Sequence, residues 1–169
     1  IPALAKEDLC PLTPGDPGVE NGFLRNIAKV AAQGERSGIP VFDEDPACVK
    51  CVCIDLVKEV SVDDGVNWFD ANDENCSDGP TTQDPAEYRL RIENCGSVLL
   101  TDVVVSDDVL GIPGTNVPDL NVGESIILTK DDIPGLAMED LCPLTPGDPG
   151  VEDSFLRNVA KVDADGDGV

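Results

Sequence analysis

The chain has 169 residues, 34 acidic and 11 basic, and its formal charge of −23 at pH 7 argues against nucleic-acid and membrane-surface partners, because it repels phosphate groups. It lacks histidine, which removes a familiar hydrolytic triad and most catalytic zinc or iron sites, so we expect no enzymatic activity. No apolar run approaches the roughly 20 residues of a bilayer-spanning helix, so no membrane insertion of this segment is predicted.

Short alternating segments rich in β-branched residues predict strands along most of the chain. In chain order they are FLRNIAKV (23–30), VFDEDPACV (41–49), CVCIDLVKEV (51–60), AEYRLRIEN (86–94), TDVVVSDD (101–108) and ESIILTK (124–130). A short strand near Val117–Leu120 would bring the count to seven. No stretch shows a sustained helical period, and proline and glycine separate the segments. Seven short strands in about 120 residues predict an all-β fold, an immunoglobulin-like antiparallel β-sandwich.

The sequence repeats with a period of 132 residues. Residues 133–162 match residues 1–30 at 25 of 30 positions, so we expect both copies to adopt one conformation. The period is close to the size of one globular domain, roughly 100–150 residues. We predict that residues 1–51 are the C-terminal strands of a preceding repeat, or a segment donated to a neighbour. Residues 52–169 would be a second sandwich that lacks its last strand, and the near-absence of a linker favours a stiff rod.

Several motifs of the chain form a recognisable set. They are an Asn-x-Gly turn, a T-x-V-x-V-x-D strand, a Gly-Glu pair before a strand and an N-x-A-x-V strand. The matching residues are Asn94, Gly96, Leu99, Thr101, Val103, Val105, Asp107, Gly123, Glu124, Asn26, Ala28 and Val30. This set resembles the "domain of unknown function eleven" family, whose members recur in large bacterial and archaeal surface proteins. The resemblance implies an immunoglobulin-like sandwich in a tandem extracellular array, without catalytic residues.

The cysteine content departs from that family and suggests a version specialised for durability. One full period holds six of the seven cysteines, because Cys10 and Cys142 occupy the same repeat position. An even count in an acidic chain without histidine predicts disulfides formed outside the cytoplasm. We therefore expect an extracellular or cell-surface location.

The geometry of a seven-strand sandwich favours particular disulfides, because the loops that hold the partners must meet at one end. The favoured pairs are Cys53 with Cys95 and Cys76 with Cys142. Cys48 and Cys51 would then pair locally or with a neighbouring unit. The alternative is a thiolate metal site in the CVKCVC segment at 48–53.

Two acidic clusters are candidate calcium sites. The segment DADGDGV at 163–169 copies the opening of a calcium loop, in which alternate carboxylates converge on one cation; the alternative is a solvated acidic hairpin. Its candidate ligands are Asp163, Asp165 and Asp167. The second cluster surrounds the single tryptophan, Trp68, which could stack on a sugar if exposed but is more often a core or interface anchor. Its candidate ligands are Asp63, Asp64, Asp70 and Asp73.

Together these features predict a structural repeat unit of an extracellular filament, stalk or cell-surface fibre, stabilised by disulfides and by calcium at the acidic clusters. The alternative is an adhesive or carbohydrate-binding module of a large surface adhesin, against which the 4% aromatic content argues. Neighbouring copies of the same unit are the expected partners. They would be arranged head to tail, either as subunits that complete one another by strand addition or as one continuous chain.

Overall fold

The fold is all-β. The computed structural model describes residues 19–20, 23–72, 77–81, 85–138, 144, 146–152 and 155–166. Within these residues every strand pairing is antiparallel, and the only helical element is a single 3-10 turn at Pro134–Leu136. The all-β antiparallel class predicted from the sequence is thus confirmed.

The first sheet is a ribbon in the N-terminal part of the chain. Its strands are β1 (Val19–Glu20), β2 (Phe23–Gln33) and β3 (Pro40–Val49), in the order β1-β2-β3. β2 and β3 pair without interruption from Leu24 opposite Val49 to Gln33 opposite Pro40. The turn between them contains Gly38 at a φ of +66°, a conformation that glycine adopts without strain.

Two further sheets share one hydrophobic core and form a sandwich. One sheet contains β4 (Asp55–Ser61), β5 (Ala86–Glu93), β8 (Ser125–Leu128) and β9 (Ala137–Met138), in the order β4-β5-β8 with β9 also paired to β5. The other contains β6 (Leu100–Asp107), β7 (Ile112–Asn116) and β12 (Ala160–Gly166), in the order β12-β6-β7. A short hairpin of β10 (Val151–Glu152) and β11 (Phe155–Leu156) precedes β12.

The hydrophobic core includes one face of β5, because buried residues alternate with partly exposed residues along this strand. The inward set of this strand is Ala86, Tyr88, Leu90 and Ile92. It meets residues of the neighbouring strand β8, the facing sheet, the 3-10 turn and the connecting loops, namely Leu100, Val103, Val105, Ile112, Leu120, Leu128, Ile133 and Leu136. Each fully buried leucine or isoleucine contributes roughly 1.5–3 kcal/mol through the hydrophobic effect, so this cluster holds the two sheets together.

The seventh strand lies earlier than predicted. The expected strand near Val117–Leu120 is wrong, because Leu120 forms only an isolated bridge to Leu100. β7 is the strand that pairs with β6 instead. It lies at the edge of its sheet, where Pro113 is tolerated because one side of an edge strand needs no ladder hydrogen bonds.

The two copies of the repeat agree in one hairpin and then differ. β1 with β2, and β10 with β11, pair in the same register, shifted by one period. β2 then continues without a break, whereas the second copy leaves the strand after Leu156 and resumes at Ala160. At the break the Arg157 amide donates to the Gly150 carbonyl at 2.7 Å, and β12 pairs with β6 instead of a strand like β3.

The division of the chain into parts of two successive repeats, at residues 51 and 52, stays a prediction. The ribbon precedes this point and the sandwich follows it. None of the described segments is a helix with the length and hydropathy needed to cross a bilayer.

Candidate functional site

The segment between the ribbon and the sandwich, residues 50–54, is held against the loop after β5; we call it the junction. The Cys51 amide donates a hydrogen bond to Ser97 Oγ at 2.8 Å, and the Ser97 amide donates to the Cys51 carbonyl at 2.8 Å. Cys51 is only 1% exposed, so water hardly competes for these bonds. Two reciprocal hydrogen bonds must break before the junction can rotate away from the sandwich.

A disulfide between Cys53 and Cys95 fixes the same junction, as predicted. The two α-carbons lie 5.0 Å apart, and the bond closes a sequence separation of 42 residues. In the chain-entropy model a loop of this size contributes about 4 kcal/mol to stability. Cys51 is disulfide-bonded as well, so the junction takes part in disulfides at both Cys51 and Cys53.

The loop that receives the junction is organised by Asn94, whose side chain is fully buried. Its Nδ2 donates to the carbonyls of Val98 and Leu120 at 2.8 and 2.9 Å, and its Oδ1 accepts from the Gly96 amide at 3.0 Å. Gly96 lies so close to the junction that an added β-carbon would be 2.6 Å from the Cys51 carbonyl oxygen. The Asn-x-Gly motif therefore shapes the surface against which the junction rests.

Cys48 is not part of this arrangement, because its thiol is free and exposed. The predicted local pairing of Cys48 with Cys51 is wrong, since Cys51 is buried in the junction and bonded elsewhere. The alternative thiolate metal site is also wrong, because Cys51 and Cys53 are both oxidised. A bond from Cys48 to a neighbouring unit stays a prediction. Outside the described residues lie Cys10, Cys76 and Cys142, and with them the predicted Cys76–Cys142 pair.

The ribbon formed by β2 and β3 carries exposed apolar side chains. From Arg25 to the end of β2, and along the whole of β3, every residue is exposed. Val30 is 64% exposed, Val41 58% and Phe42 85%. A two-stranded ribbon with no further packing is marginally stable in water, so this surface is suited to a partner.

The second copy shows what one face of the ribbon packs against. One period after three residues of β2 come three residues of β12: Ala28, Val30 and Ala32 correspond to Ala160, Val162 and Ala164. In β12 all three side chains pack against the sandwich core. In β2 all three are exposed. The ribbon therefore presents to solvent a face that the repeat buries elsewhere.

The sandwich has a matching open edge. β12 is the last strand of its sheet and pairs only with β6 among the described strands. In the first copy the corresponding strand pairs with β3. A strand like β3 would therefore extend the sheet at the free edge of β12 by main-chain hydrogen bonds.

The acidic cluster after β4 is organised by its own hydrogen bonds. The Asn67 amide donates to Asp63 Oδ1 at 2.8 Å, and this bond is the main reason that the pKa of Asp63 lies below its ordinary value. Asp64 and Asp70 are exposed, and Asp73 lies outside the described residues. In the part of the chain that the structure describes, no group of three such side chains is placed to hold a metal ion. Calcium at this cluster stays a prediction.

The second calcium segment has a different conformation from the one predicted. Asp163 and Asp165 lie within β12, opposite Val104 and Thr101 of β6, and not in a loop. Both are on the exposed face of the strand, where residues two apart are separated by about 7 Å. The predicted loop is thus wrong for these two residues, because pairing with β6 extends them. Asp167 lies outside the described residues, so calcium binding itself stays a prediction.

Trp68 is half-buried and is held by a local hydrogen bond and a cation contact. Its Nε1 donates to the Gly65 carbonyl at 3.0 Å. The Arg89 guanidinium lies 4.5 Å from the ring and is itself held by Glu59 through bonds of 2.7 and 2.9 Å. A cation therefore already occupies the ring, which disfavours the sugar-stacking alternative for this residue.

A buried polar cluster between the two sheets was not among the predicted sites. Lys58 of β4 forms an ion pair with Asp107 of β6; the Lys58 side chain is 13% exposed and that of Asp107 is fully buried. The Lys58 Nζ lies 4.6 Å from the centre of the Tyr88 ring. Burial lowers the pKa of Lys58, although its bond to Asp107 acts in the opposite direction. Burial also raises the pKa of Tyr88 to about 12.

The sequence does contain a signal for this cluster. Lys58 stands between Leu56 and Val60, the two partly buried residues of β4 that pack against the core. Asp107 continues the inward-facing series that includes Val105 in β6. A charged residue at the inward position of an alternating strand needs a partner, because an unpaired buried charge is costly.

Comparison of the chain with protein-family models, curated proteins and solved structures gave no match. The resemblance to the "domain of unknown function eleven" family therefore stays a prediction from its motifs.

Proposed function

We propose that this chain is a structural repeat unit of an extracellular filament, stalk or cell-surface fibre. The observation that carries the proposal is the β2–β3 ribbon, which exposes a face that the equivalent strand β12 buries. A ribbon of this kind is one part of a sandwich whose other strands belong to a further segment of the same repeat. A preceding repeat of a longer chain, or a neighbouring subunit, supplies those strands.

The junction supports the mechanical part of the proposal. Reciprocal hydrogen bonds between Cys51 and Ser97, and the disulfide between Cys53 and Cys95, tie the incoming chain to the sandwich. Successive units joined in this way cannot swing freely, unlike units on a flexible linker. A stiff array of sandwiches is what a stalk or fibre requires.

The location outside the cytoplasm is supported by the disulfides, which form and persist in oxidising compartments. The charge of −23 keeps neighbouring fibres apart and soluble. Both features are those of a durable exposed polymer.

The test is a chain in which residues 53–132 are added in front of residue 1, which continues the sequence at its own period. The ribbon should then complete a sandwich with the added strands. Amide hydrogen exchange along β2 should slow by about 100-fold or more, because its bonds would open only with the sandwich. Mass spectrometry of peptides from β2 in the extended and original chains measures this difference.

A matched pair of substitutions separates packing from surface chemistry. Val30 and Val122 are similarly exposed in the original chain, 64% and 55%, but only Val30 lies in the ribbon. In the extended chain Val30→Asp should lower the unfolding free energy by about 3 kcal/mol, since it buries a charge, and Val122→Asp by less than about 0.5 kcal/mol. Unchanged exchange along β2 together with equal costs for the two substitutions would contradict the proposal.

A further inference from the structure

The buried polar cluster spans the sandwich from one sheet to the other. Lys58 extends from β4 and Asp107 from β6, and their side chains are in direct contact. Asp107 Oδ1 also accepts a hydrogen bond from the Leu110 amide at 2.9 Å, which holds the carboxylate in place. The Tyr88 ring covers the lysine at 4.6 Å. An amine is therefore positioned beside a carboxylate in a site that water hardly reaches.

Asn158 belongs to the same cluster, and its amide is unsatisfied. Both Nδ2 and Oδ1 are buried and have no hydrogen-bond partner among the described residues. The Asn158 amide lies near enough to the Tyr88 hydroxyl to oppose the rise in the Tyr88 pKa that burial causes, but the two do not form a hydrogen bond of normal geometry. An unsatisfied buried amide is rare in folded proteins and requires an explanation, one of which is a reactive role.

Asn158 lies near the ion pair, in the break between β11 and β12. Ala160 lies directly opposite Asp107 in the β12–β6 ladder, and Asn158 precedes Ala160 by two residues. Asn158, Lys58 and Tyr88 also line one cleft. An amine and a side-chain amide therefore line the same cleft, and the carboxylate of Asp107 contacts the amine.

We propose that Lys58 and Asn158 form an intramolecular isopeptide bond, with Asp107 as the acid–base residue. The Lys58 Nζ attacks Cγ of Asn158, so that a new N–C bond forms and the bond from Cγ to Nδ2 breaks. Asp107 accepts a proton from Nζ and delivers it to the departing nitrogen, which leaves as ammonia. One amide is exchanged for another, and the step needs no oxidant, reductant or other co-reactant.

The surroundings favour this exchange. An amine attacks only when it is uncharged, and burial increases the uncharged fraction of Lys58 because it lowers the pKa of the side chain. Asp107 touches the amine and is the group placed to move the proton. Exclusion of water protects the acyl transfer from hydrolysis. Loss of the Asn158 amino group also removes the unsatisfied donor.

The bond would join β4, the first strand of the sandwich, to the segment before β12. These strands lie in different sheets and both are edge strands. The cross-link would close the sandwich across its core without help from the disulfides. It goes beyond the proposed function, because it can form within a single chain whether or not that chain assembles.

Intact-mass spectrometry of the reduced, denatured whole chain tests the proposal. The wild-type mass should be one ammonia molecule below the sequence mass, and digestion should yield a branched peptide joining Lys58 to Asn158. Lys58→Arg, which keeps a cation beside Asp107, should have the full sequence mass. Lys130→Arg is the matched control, because Lys130 also pairs with a carboxylate, that of Glu87, but at the surface. The Lys130→Arg chain should keep the mass deficit of one ammonia molecule.

Each contrary result has a distinct meaning. The full sequence mass in the wild-type chain would overturn the proposal. An ammonia deficit that persists in Lys58→Arg would indicate a succinimide at Asn158, and a deficit of one water would indicate a bond from Lys58 to Asp107; either would overturn it too. These masses are read on denatured chains, so failure here leaves the proposed fibre function standing, and failure of assembly leaves the masses unchanged.

Asp107→Ala tests the acid–base role. A folded Asp107→Ala chain, identified by its far-ultraviolet circular dichroism, should retain the full sequence mass, and an unaltered deficit would overturn the assignment to Asp107. Where this variant does not fold, the wild-type and Lys58→Arg masses still decide whether the bond exists.

Discussion

Gly96 lies so close to the junction that a β-carbon built on it would come within 2.6 Å of the Cys51 carbonyl oxygen and 2.8 Å of the Cys53 amide nitrogen. Both are backbone atoms, and the disulfide of Cys53 keeps them in place. Gly96→Ala should therefore lower the unfolding free energy by about 1–3 kcal/mol, the usual cost of overpacking, as measured by urea titration.

Gly111→Ala is the control for that substitution. Gly111 has a φ of +62° and no atom within 4 Å of an added β-carbon, so alanine at this position would introduce backbone strain without a steric clash. Its expected cost is about 1–2 kcal/mol. Only Gly96→Ala should speed hydrogen exchange of the Ser97 amide, which bonds to the Cys51 carbonyl. If Gly96→Ala left the exchange rate of the Ser97 amide unaltered, the close approach of Gly96 to the Cys51 carbonyl would not be what holds the junction.

Removal of the disulfide between Cys53 and Cys95, by alanine at both positions, should lower the unfolding free energy by about 4 kcal/mol, because the unfolded chain regains the freedom of a long loop. Denaturant titration without reductant measures the change. Cys48→Ala is the control, since that thiol is free and exposed, and it should alter stability by less than about 0.5 kcal/mol. Equal midpoints for the double variant and the wild-type chain would show that the bond does not stabilise the fold.

Tyr88 is the single tyrosine of the chain, so ultraviolet titration of tyrosinate reports on it alone. Burial raises its pKa to about 12, and the signal should therefore appear near that pH in the folded chain. In denaturant it should appear near pH 10. Because the unfolded state loses its proton first, the unfolding free energy should fall as the pH rises from about 10 to about 12. Tyr88→Phe should remove that contribution, and a folded-state titration near pH 10 would contradict the prediction.

Glu59 accepts two hydrogen bonds from Arg89, and these lower its pKa against the opposing effect of burial. A lowered folded-state pKa stabilises the fold above the unfolded value of about 4.3, and this contribution is lost as the pH falls through the folded value. The Glu59→Gln variant should therefore lose less unfolding free energy than the wild-type chain when the pH falls below about 4.3. Urea denaturation midpoints measured across that range test this.

Arg89→Gln should weaken the same acid dependence, because Glu59 then loses its partner. It should also alter the fluorescence of Trp68, whose ring lies 4.5 Å from the guanidinium. Identical acid dependence in the wild-type chain and both variants would exclude this ion pair as its source.

The burial of β5 could be predicted from the alternation of apolar and polar residues in its sequence alone. Tyr88, Leu90 and Ile92 were expected on one face, and all three are buried. The period of an extended strand decides which side chains turn inward before any tertiary contact forms. The pair of Cys53 and Cys95 was predictable for a related reason, since antiparallel strands bring the start of one and the end of the next to the same end of a sheet.

Features that depend on pairing between distant segments could not be predicted in this way. β7 contains Pro113 and lacks an apolar alternation, so only its pairing with β6 makes it a strand. Asp163 was placed in a loop because its neighbours resemble a calcium motif, whereas the β6 ladder extends it. Lys58 and Asp107 each stand at an inward position, but the stacking of the two sheets decides that they meet.

The bond between Cys53 and Cys95 lies just beyond the pairing of Asp55 with Glu93, where β4 meets the end of β5. Tension arriving from the ribbon reaches Cys53 before it reaches β4, and the sulfurs pass part of it to the loop after β5. The two strands cannot be unzipped from this end one hydrogen bond at a time. In a pulled array of the proposed kind, each unit would therefore yield first at a place other than this end of β4.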